Sequence, residues 1–421
     1  MSATPIASGQ DARNGALRLL HAVLIEKRML TEAQSDLSMY GADAARAGRL
    51  AGLVLRHLSR IDALLRPHLK RAPALRTQAI LRLAVAELML DDAAPHGVVD
   101  SAVSLAGAVP KTAKQSGLVN AVLRKVAQDR AGWDALPRAT LPPWLRKPIA
   151  KAYGRDRLEA IEAAHLAQVP LDLTMKAAMP EGLPGTDLPT GSRRIEGAQV
   201  TALPGFETGD WWVQDAAAAT PVRTLGDISG LRVLDLCAAP GGKTMQMAAA
   251  GAHVTALDIS EGRVRRLRDN LARTGLAADV IVADVMEWEP EAPFDVVVLD
   301  APCSATGTIR RPPDLPHLRK PAEIETLTQL QYQMLDRALG FVAPEGRLLY
   351  CTCSLLPVEG EFQVKAALKR HAGWNALPLD PIDLGLPEQA QSPHGLRLLP
   401  DLWAEQGGMD GFYISVLRRD E

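Results

Sequence analysis

The chain has 421 residues, of which 47% are hydrophobic and 23% charged, and its formal net charge is −2. This length predicts two or three domains with well-packed cores. No apolar run of about eighteen residues is present, which excludes a transmembrane helix, and the first ten residues lack a signal-peptide pattern. Only four cysteines occur, so we expect no disulfide framework and a cytoplasmic protein.

The two parts of the chain differ in charge. Residues 1–130 hold 18 Lys and Arg against 11 Asp and Glu, whereas the remaining residues hold 29 against 38. A basic N-terminal domain beside an acidic remainder predicts that a polyanion is bound mainly by the first domain. A solvated basic helical surface would give the same balance, so charge alone leaves both interpretations open.

Residues 11–130 have helical periodicity and no strand signals. Apolar residues recur at helical spacing, which predicts a bundle of about seven helices. The clearest segments are 16–25, 50–65, 75–90, 98–108 and 116–126. Guanidinium groups match phosphate geometry, so the arginines of this domain are candidate phosphate contacts, although each is also explained as a surface charge. The candidates are Arg13, Arg18, Arg76 and Arg82.

A proline-rich connector follows residue 130. Residues 144–166 again have helical spacing, whereas residues 170–213 are β-like and rich in Pro and Gly. We interpret residues 131–215 as a linker and a small α+β subdomain. Its segment 171–176 is a candidate edge strand facing RNA, and Asp215 is a candidate N-cap of an alanine-rich helix.

The central motif is Val-Leu-Asp-Leu-Cys-Ala-Ala-Pro-Gly-Gly-Lys-Thr at 233–244. It predicts a strand, a tight loop and a helix. Gly241 and Gly242 allow the backbone to approach a ligand, and the first N–H groups of the helix point toward that ligand. The glycine spacing fits neither a P-loop nor a dinucleotide fingerprint. A fifth strand at 346–351, a final strand at 411–417 that forms half of an antiparallel edge pair, and helices at 322–342 and 359–371 complete a doubly wound pattern.

Acidic residues end the strands around this loop. Asp235, Asp258, Asp284 and Asp300 each follow an apolar, strand-like run. In such sheets the ligand lies at the carboxyl ends of the strands, so Asp258 is placed for ribose hydroxyls and Asp284 for an adenine amino group. Four acids disfavour a polyphosphate. The pattern therefore indicates S-adenosylmethionine rather than NAD or ATP, although each acid alone is also explained as a helix cap.

Three cysteines follow two of these strands. Cys303 lies in Asp-Ala-Pro-Cys-Ser at 300–304, and Cys351 and Cys353 lie in Tyr-Cys-Thr-Cys-Ser at 350–354. Neighbouring strands would bring both motifs to the edge that carries the glycine loop. We expect no metal, because Cys-x-Cys with one distant Cys and no His pair is a poor zinc ligand set. Inert packing cysteines are the other interpretation.

These motifs resemble two known families. Pro-His-Gly-Val-Val-Asp-Ser-Ala-Val at 95–103 and Gly-Leu-Val-Asn-Ala-Val-Leu-Arg at 117–124 are similar to the NusB-type RNA-binding domain. The motifs at 235–243, 300–304 and 352–354 resemble those of the RNA 5-methylcytosine methyltransferases of the Sun/NOL/NOP family. With the helical domain in front, the chain resembles the bacterial Sun/Fmu (RsmB-type) branch, which methylates small-subunit ribosomal RNA.

The resemblance implies a multidomain fold. We expect an all-α NusB-like RNA-binding bundle at 1–130, the small α+β RNA-binding subdomain at 131–215, and a Rossmann-like α/β catalytic domain that binds S-adenosylmethionine at 216–421. Cys353 would be the nucleophile that adds to carbon 6 of cytosine, and Cys303 would assist release of the covalent adduct. Asp300 would hydrogen-bond the base, and Cys351 would be a bystander.

The resemblance also implies a set of cofactor contacts. They are Cys237, Ala238, Ala239, Pro240, Gly241, Gly242, Lys243, Asp258, Arg263, Asp284 and Asp300. Lys243 would orient either Asp300 or the cofactor carboxylate, and Arg263 would reach either the ribose or Asp258.

The target base must leave any stack to reach two thiols and a methyl donor. The basic stretch at 310–320 is expected to form a mobile loop whose Arg310 and Arg311 contact the RNA backbone. The helical domain favours small-subunit ribosomal RNA as the partner, and no obligate protein partner is inferred. A tRNA-directed 5-methylcytosine methyltransferase and an inactive RNA-binding scaffold are the alternatives.

Overall fold

The computed structural model describes residues 10–197 and 199–420. These residues divide into two compact units, residues 10–147 with 311–319, and residues 148–310 with 320–420. The structure thus groups the connector at 131–147 with the helical unit and the residues from 148 to 215 with the sheet unit. In the described residues, no helix has both the length and the apolar character to cross a membrane.

Helices cover the segments whose apolar spacing predicts them, and shorter helices occur in segments for which none was predicted. In chain order they are α1 (Gln10–His21), α2 (Leu30–Ser35), α3 (Gly41–Arg56), α4 (Leu58–Leu65), α5 (Leu75–Leu90), α6 (Pro95–Gly107), α7 (Pro110–Ala113), α8 (Ser116–Val126), α9 (Arg130–Ala135), α10 (Pro143–Tyr153), α11 (Arg155–Leu166), α12 (Ala216–Arg223), α13 (Gly242–Ala249), α14 (Glu261–Thr274), α15 (Leu315–Leu318), α16 (Pro321–Leu339) and α17 (Glu361–Arg370). A π-helical turn, Ala22–Glu26, extends α1.

Helix α5 is the centre of the helical unit. It covers the predicted residues, and ten of its side chains are buried, which explains why apolar residues occur nearly all round it. Helix α8 also matches its prediction. The predicted helix over 50–65 is instead divided at His57, whose φ of −107° and ψ of 15° lie outside the helical region.

Two of the candidate phosphate contacts instead form ion pairs with carboxylates inside this unit. Arg13 donates to both carboxylate oxygens of the buried Glu87 at 2.8–3.0 Å. Arg82 donates to Asp62 at 2.7 and 2.8 Å. Arg18 is exposed and stays a candidate phosphate contact.

Residues 311–319 belong to the helical unit although they interrupt the other unit in sequence. The buried Asp314 accepts a hydrogen bond from Leu30 N at 2.7 Å. Burial lowers the pKa of His317, whose Nε2 lies 3.0 Å from Leu55 O. The prediction of a mobile loop is therefore wrong, because the segment is packed and hydrogen-bonded within its unit.

Thirteen strands lie in the described part of the second unit. They are β1 (Leu171–Met175), β2 (Thr186–Asp187), β3 (Arg193–Ile195), β4 (Trp211–Val213), β5 (Arg232–Leu236), β6 (His253–Asp258), β7 (Asp279–Val282), β8 (Phe294–Asp300), β9 (Val342–Thr352), β10 (Trp374–Ala376), β11 (Gln391–Ser392), β12 (Gly395–Leu398) and β13 (Phe412–Arg419).

The first four strands form a small antiparallel sheet in the order β2-β3-β1-β4. Strand β1 has a neighbour on each side, so the prediction of an edge strand at 171–176 is wrong. Its Asp172 is fully buried and binds Arg194 at 2.7 and 2.8 Å, and it also accepts from Ala216 N at the start of α12. Asp215 caps α12 through Ala217 N at 2.9 Å, which confirms the predicted N-cap.

The other strands form one large sheet in the order β11-β12-β13-β9-β8-β5-β6-β7, with β10 paired to β13. Strands β5 to β9 are parallel, and the predicted doubly wound core is confirmed. Strand β13 is antiparallel to β9 and β12, as predicted, but the pair of β12 and β13 is not at the edge, because β11 pairs with the other side of β12. The strand order reverses between β5 and β8, which is where ligands bind in such sheets.

Replacing Asp172 by alanine should destabilise the second unit. Arg194 would be left as a buried charge without its carboxylate, and breaking a buried pair costs about 3–5 kcal/mol. Equilibrium urea unfolding measures the loss. The control is Asp187→Ala, which removes an exposed partner from the neighbouring Arg193 and should cost less than about 1 kcal/mol. Equal losses in the two variants would contradict this account of Asp172.

Candidate active site

The glycine loop leads from β5 into α13, as predicted. Gly241 has a φ of 105°, in the left-handed region that favours glycine. A Cβ on Gly241 would lie 2.2 Å from Leu267 Cδ1, so the position has no room for a side chain. Ala238 N donates to Leu257 O at 3.0 Å and thereby ties the loop to β6.

The other predicted loop residues lie along the same turn. Cys237 is half-buried with a φ of 61°, and its burial raises the pKa of its thiol. Pro240 is exposed, and its carbonyl oxygen accepts from Asn270 Nδ2 at 2.9 Å. Gly242 begins α13. The loop is thus held from several directions, and its outer side faces the carboxyl edge of the sheet.

Asp258 and Arg263 form hydrogen bonds with the backbone of this loop. Asp258 is buried, and its Oδ2 accepts from Ala239 N at 3.2 Å while its Oδ1 accepts from Ser260 N at 3.0 Å. Arg263 Nη1 lies 3.3 Å from Asp258 Oδ2, and Arg263 also donates to Ala239 O. Arg263 is expected to reach either the ribose or Asp258, and in the structure it contacts Asp258. A carboxylate oxygen has two lone pairs, so Asp258 retains capacity for a ligand hydroxyl.

Asp284 and Asp235 differ in exposure. Asp284 follows β7, is half-buried, and accepts from Met286 N at 2.9 Å through Oδ1. Asp235 is buried and accepts from Thr244 Oγ1 at 2.5 Å, and burial raises its pKa to about 7. Asp235, which is not among the expected cofactor contacts, therefore supports the start of α13 through Thr244.

Asp300, at the end of β8, is held by a buried lysine. Lys243 Nζ lies 2.8 Å from Asp300 Oδ2 and 4.9 Å from the centre of the Phe412 ring. Burial is the largest single effect and acts to lower the pKa of Lys243, but the charge of Asp300, its hydrogen bond and the neighbouring Cys351 and Asp235 together raise that pKa. Lys243 is thus a permanent cation that orients Asp300, the first of its two expected roles.

Cys351 is a second partner of Asp300. Burial raises the pKa of Cys351, so its thiol is protonated, and its Sγ lies 3.6 Å from Asp300 Oδ1. Cys351 thus contacts the carboxylate at the centre of the site, and its expected role as a bystander in the reaction stays a prediction.

The sulfur atoms of Cys303 and Cys353 lie 3.5 Å apart. The prediction that their two motifs meet at one edge of the sheet is confirmed. The hydrogen bond with Cys353, followed by burial and by the charges of Cys353 and Glu359, raises the pKa of Cys303 well above its ordinary value. In the part of the chain that the structure describes, no group of three or more His, Cys, Asp or Glu is arranged to hold a metal ion.

A buried carboxylate joins the two cysteine segments. Glu359 accepts from Ser304 N at 2.8 Å and from Ser304 Oγ and Ser354 Oγ at 2.5 Å. Gln331 Nε2 donates to the same carboxylate at 3.1 Å. Ser304 follows Cys303 and Ser354 follows Cys353, so Glu359 fixes the spacing of the two sulfurs.

The sequence did not identify Glu359 as a site residue. The segment 359–371 was predicted as a helix, in which an acid in the first turn is unremarkable. Helix α17 begins instead at Glu361, and Glu359 is fully buried in the preceding turn. The available signal was an acid six residues after Cys353, but its serine partners are brought together only by the fold.

Arg310 is buried between two carboxylates. Its Nε lies 2.8 Å from Asp410 Oδ1, its Nη2 3.0 Å from Asp215 Oδ2, and its Nη1 donates to Gly407 O. The prediction that Arg310 contacts the RNA backbone is wrong, because its side chain is inaccessible and its charge is neutralised. Arg311 is half-buried in the helical unit, and its RNA contact stays a prediction.

Comparison with known proteins agrees with this arrangement. Residues 224–418 match a family model described as 16S rRNA methyltransferase RsmB/F, and residues 10–128 match the NusB family model. A ribosomal RNA small subunit methyltransferase B from Escherichia coli O1:K1 is 34% identical over 97% of this chain and 98% of its own length. Its counterpart from E. coli O139:H28 is 37% identical over 86% of this chain and 88% of its own.

A solved structure supports the fold. The crystal structure of PH0851 superposes with a TM-score of 0.71 at 21% identity, covering 99% of this chain and all of its own. At that identity the likeness concerns the fold alone. Because the curated relatives match most of the chain at 34–37% identity and both domains match their family models, this chain belongs to the RsmB/F family of small-subunit ribosomal RNA methyltransferases.

Proposed function

We propose that this methyltransferase transfers a methyl group from S-adenosylmethionine to carbon 5 of a cytosine in small-subunit ribosomal RNA, through a covalent adduct with Cys353. The observation that carries the proposal is the pair of sulfurs, 3.5 Å apart, at the sheet edge that also carries Asp300 and the glycine loop. Carbon 5 of cytosine is a poor nucleophile. A thiolate that adds to carbon 6 makes the ring an enamine, which is reactive at carbon 5.

The residues of the loop suit a cofactor without phosphates. The two cations beside the loop, Lys243 and Arg263, are both paired with carboxylates, so neither charge is available to a polyphosphate. Asp258 and Asp284, at the ends of neighbouring strands, would hold ribose hydroxyls and the adenine amino group. When bound, S-adenosylmethionine supplies an electrophilic methyl group.

The electrostatics distinguish the two cysteines. Its raised pKa keeps Cys303 protonated at neutral pH, so Cys303 is a poor nucleophile in the free enzyme. Cys353 Sγ, 3.5 Å away, is the other sulfur at this edge of the sheet. The thiolate is the reactive form of cysteine, so we assign the addition to carbon 6 to Cys353.

Release of the product requires a base, and we assign that role to Cys303. After methylation, the carbon 5 proton must leave so that the bond between carbon 6 and the Cys353 sulfur can break. In the adduct Cys353 is a neutral thioether, so the main cause of the raised pKa of Cys303 is absent. Cys303 can then release its own proton to solvent and, as a thiolate, accept the carbon 5 proton. The electron pair of the broken C–H bond re-forms the ring double bond, and Cys353 departs as a thiolate.

Asp300 would recognise the base. Its carboxylate is a third exposed, and Lys243 and Cys351 hold both of its oxygens in place. A fixed acceptor at this edge suits the amino group of cytosine, and such a preorganised contact can offset charge that develops on addition.

The two cysteines should give opposite phenotypes. Cys353→Ala removes the nucleophile, so methyl transfer should be lost while S-adenosylmethionine still binds. Cys303→Ala keeps the nucleophile but removes the group that accepts the proton, so a protein–RNA adduct should accumulate and survive denaturing electrophoresis. Tritiated-methyl transfer to small-subunit ribosomal RNA and gel mobility measure the two effects.

The double variant Cys303→Ala/Cys353→Ala is the control, since it should trap no adduct. Exchange of the two single-variant phenotypes would reverse the assigned roles. Bisulfite sequencing of ribosomal and transfer RNA from a deletion strain separates the proposal from a tRNA-directed activity, because only the true substrate loses a methylated cytosine.

Glu359→Gln should slow the chemistry without weakening cofactor binding. The change keeps the shape of the side chain but removes the charge that fixes Ser304 and Ser354, and misplaced reacting groups cost on the order of 100-fold in rate. The charge of Glu359 also contributes to the raised pKa of Cys303. Removing it lowers that pKa, so the rising limb of the pH profile for adduct release should shift to lower pH.

The control for this variant is Glu345→Gln, which changes an exposed acid on the same unit. Both rate and pH profile should match wild type. A Glu359→Gln enzyme with an unshifted profile for release would contradict the electrostatic role of Glu359, whatever its effect on rate.

A further inference from the structure

A groove of about 760 Å³ lies in the second unit beside the segment that follows Cys353. One side comes from the end of α10, another from the first turns of α17, and the rest from the loop before β12. Two of its lining residues hold the backbone after Cys353. Arg397 donates to Ser354 O, and Tyr153 Oη donates to Leu355 O at 2.8 Å.

The groove presents apolar surface to solvent. Phe362, in the first turn of α17, is 58% exposed and is the one exposed phenylalanine among the described residues. Val358 is also exposed, and Pro357 and Pro393 line the same groove. An exposed aromatic ring with flat apolar neighbours is the usual platform for a nucleic-acid base.

The groove also has positive charge that the protein does not neutralise. Lys151 and Lys365 line it, both are exposed, and neither forms an ion pair with a residue that the structure describes. The acid in the lining, Glu361, is bound by Arg397 at 2.6 and 3.0 Å and contributes no net charge together with it. The two lysines therefore give the groove a positive charge, as expected for a surface that binds phosphates.

We propose that this groove binds the single-stranded RNA next to the target cytosine, with a base stacked on Phe362 and backbone phosphates at Lys151 and Lys365. The inference rests on the proposed function, since it takes RNA as the substrate and Cys353 as the point of attack. Bases next to an extruded nucleotide lose stacking partners, and an aromatic platform replaces them. A protein partner would not require two exposed lysines and an exposed ring in the same groove.

The test uses the full-length enzyme and a fluorescent ribosomal RNA fragment containing the modified site. Phe362→Ala should weaken binding by about 5- to 150-fold, the range for loss of one base stack, and Phe362→Trp should restore it. Lys151→Ala/Lys365→Ala should lower the slope of log affinity against log salt by about 1.4, as expected for two phosphates of a single strand.

The matched control is Lys369→Ala, which removes an exposed lysine one turn further along α17 and outside the groove. It should leave the affinity nearly unchanged. A second control is a short RNA that lacks the nucleotides flanking the cytosine, on which wild type and Phe362→Ala should bind alike.

Binding is measured without turnover, so its outcome is independent of the chemistry. Wild-type methylation with unchanged affinity in Phe362→Ala would overturn the groove assignment and leave the proposed function standing. Weakened RNA binding by Phe362→Ala, together with a wild-type enzyme that does not methylate cytosine, would support the groove and overturn the proposed function. Retained RNA affinity with loss of a co-purifying protein would identify a protein occupant and also overturn the inference.

Discussion

The parallel pairing of β8 with β9 determines the chemistry of this protein. Its register sets Leu299 opposite Tyr350 and Asp300 opposite Cys351, so the segments that follow the two strands leave the sheet side by side. Cys303 and Cys353 are 50 residues apart in sequence, yet their sulfurs come within 3.5 Å. A shift of one residue would turn Cys351 and Asp300 to opposite faces, so the hydrophobic pattern of the strands also fixes the active-site geometry.

Two carboxylates at this edge are stabilised in different ways. Asp300 is paired with a buried ammonium group, which leaves it a charged and oriented acceptor. Glu359 receives hydrogen bonds from hydroxyl, amide and backbone groups instead, and its charge contributes to the raised pKa of Cys303. The first arrangement suits recognition of a base, and the second suits control of which sulfur holds the proton.

The sequence was sufficient for features that depend on local pattern. The apolar run of β8, the small residues of the glycine loop and the cysteines at strand ends each follow from short segments, and the structure confirms these elements. Contacts between distant segments could not be predicted. Arg310 looked like a surface charge because its partners, Asp215 and Asp410, lie about a hundred residues away on either side. Strand β1 looked like an edge for the same reason, since its neighbours β3 and β4 are separated from it by loops.

Because residues 311–319 belong to the helical unit, the protein is difficult to divide into separate fragments. The chain passes between the units at residues 147, 310 and 319, so one cut cannot separate them cleanly. A fragment beginning at residue 148 would retain Asp314 and Leu315 without the helices that bury them. In that fragment the segment between Arg310 and α16 would lose the contacts that bury it. The helical unit is therefore needed to complete the packing of a segment that lies, in sequence, inside the catalytic unit.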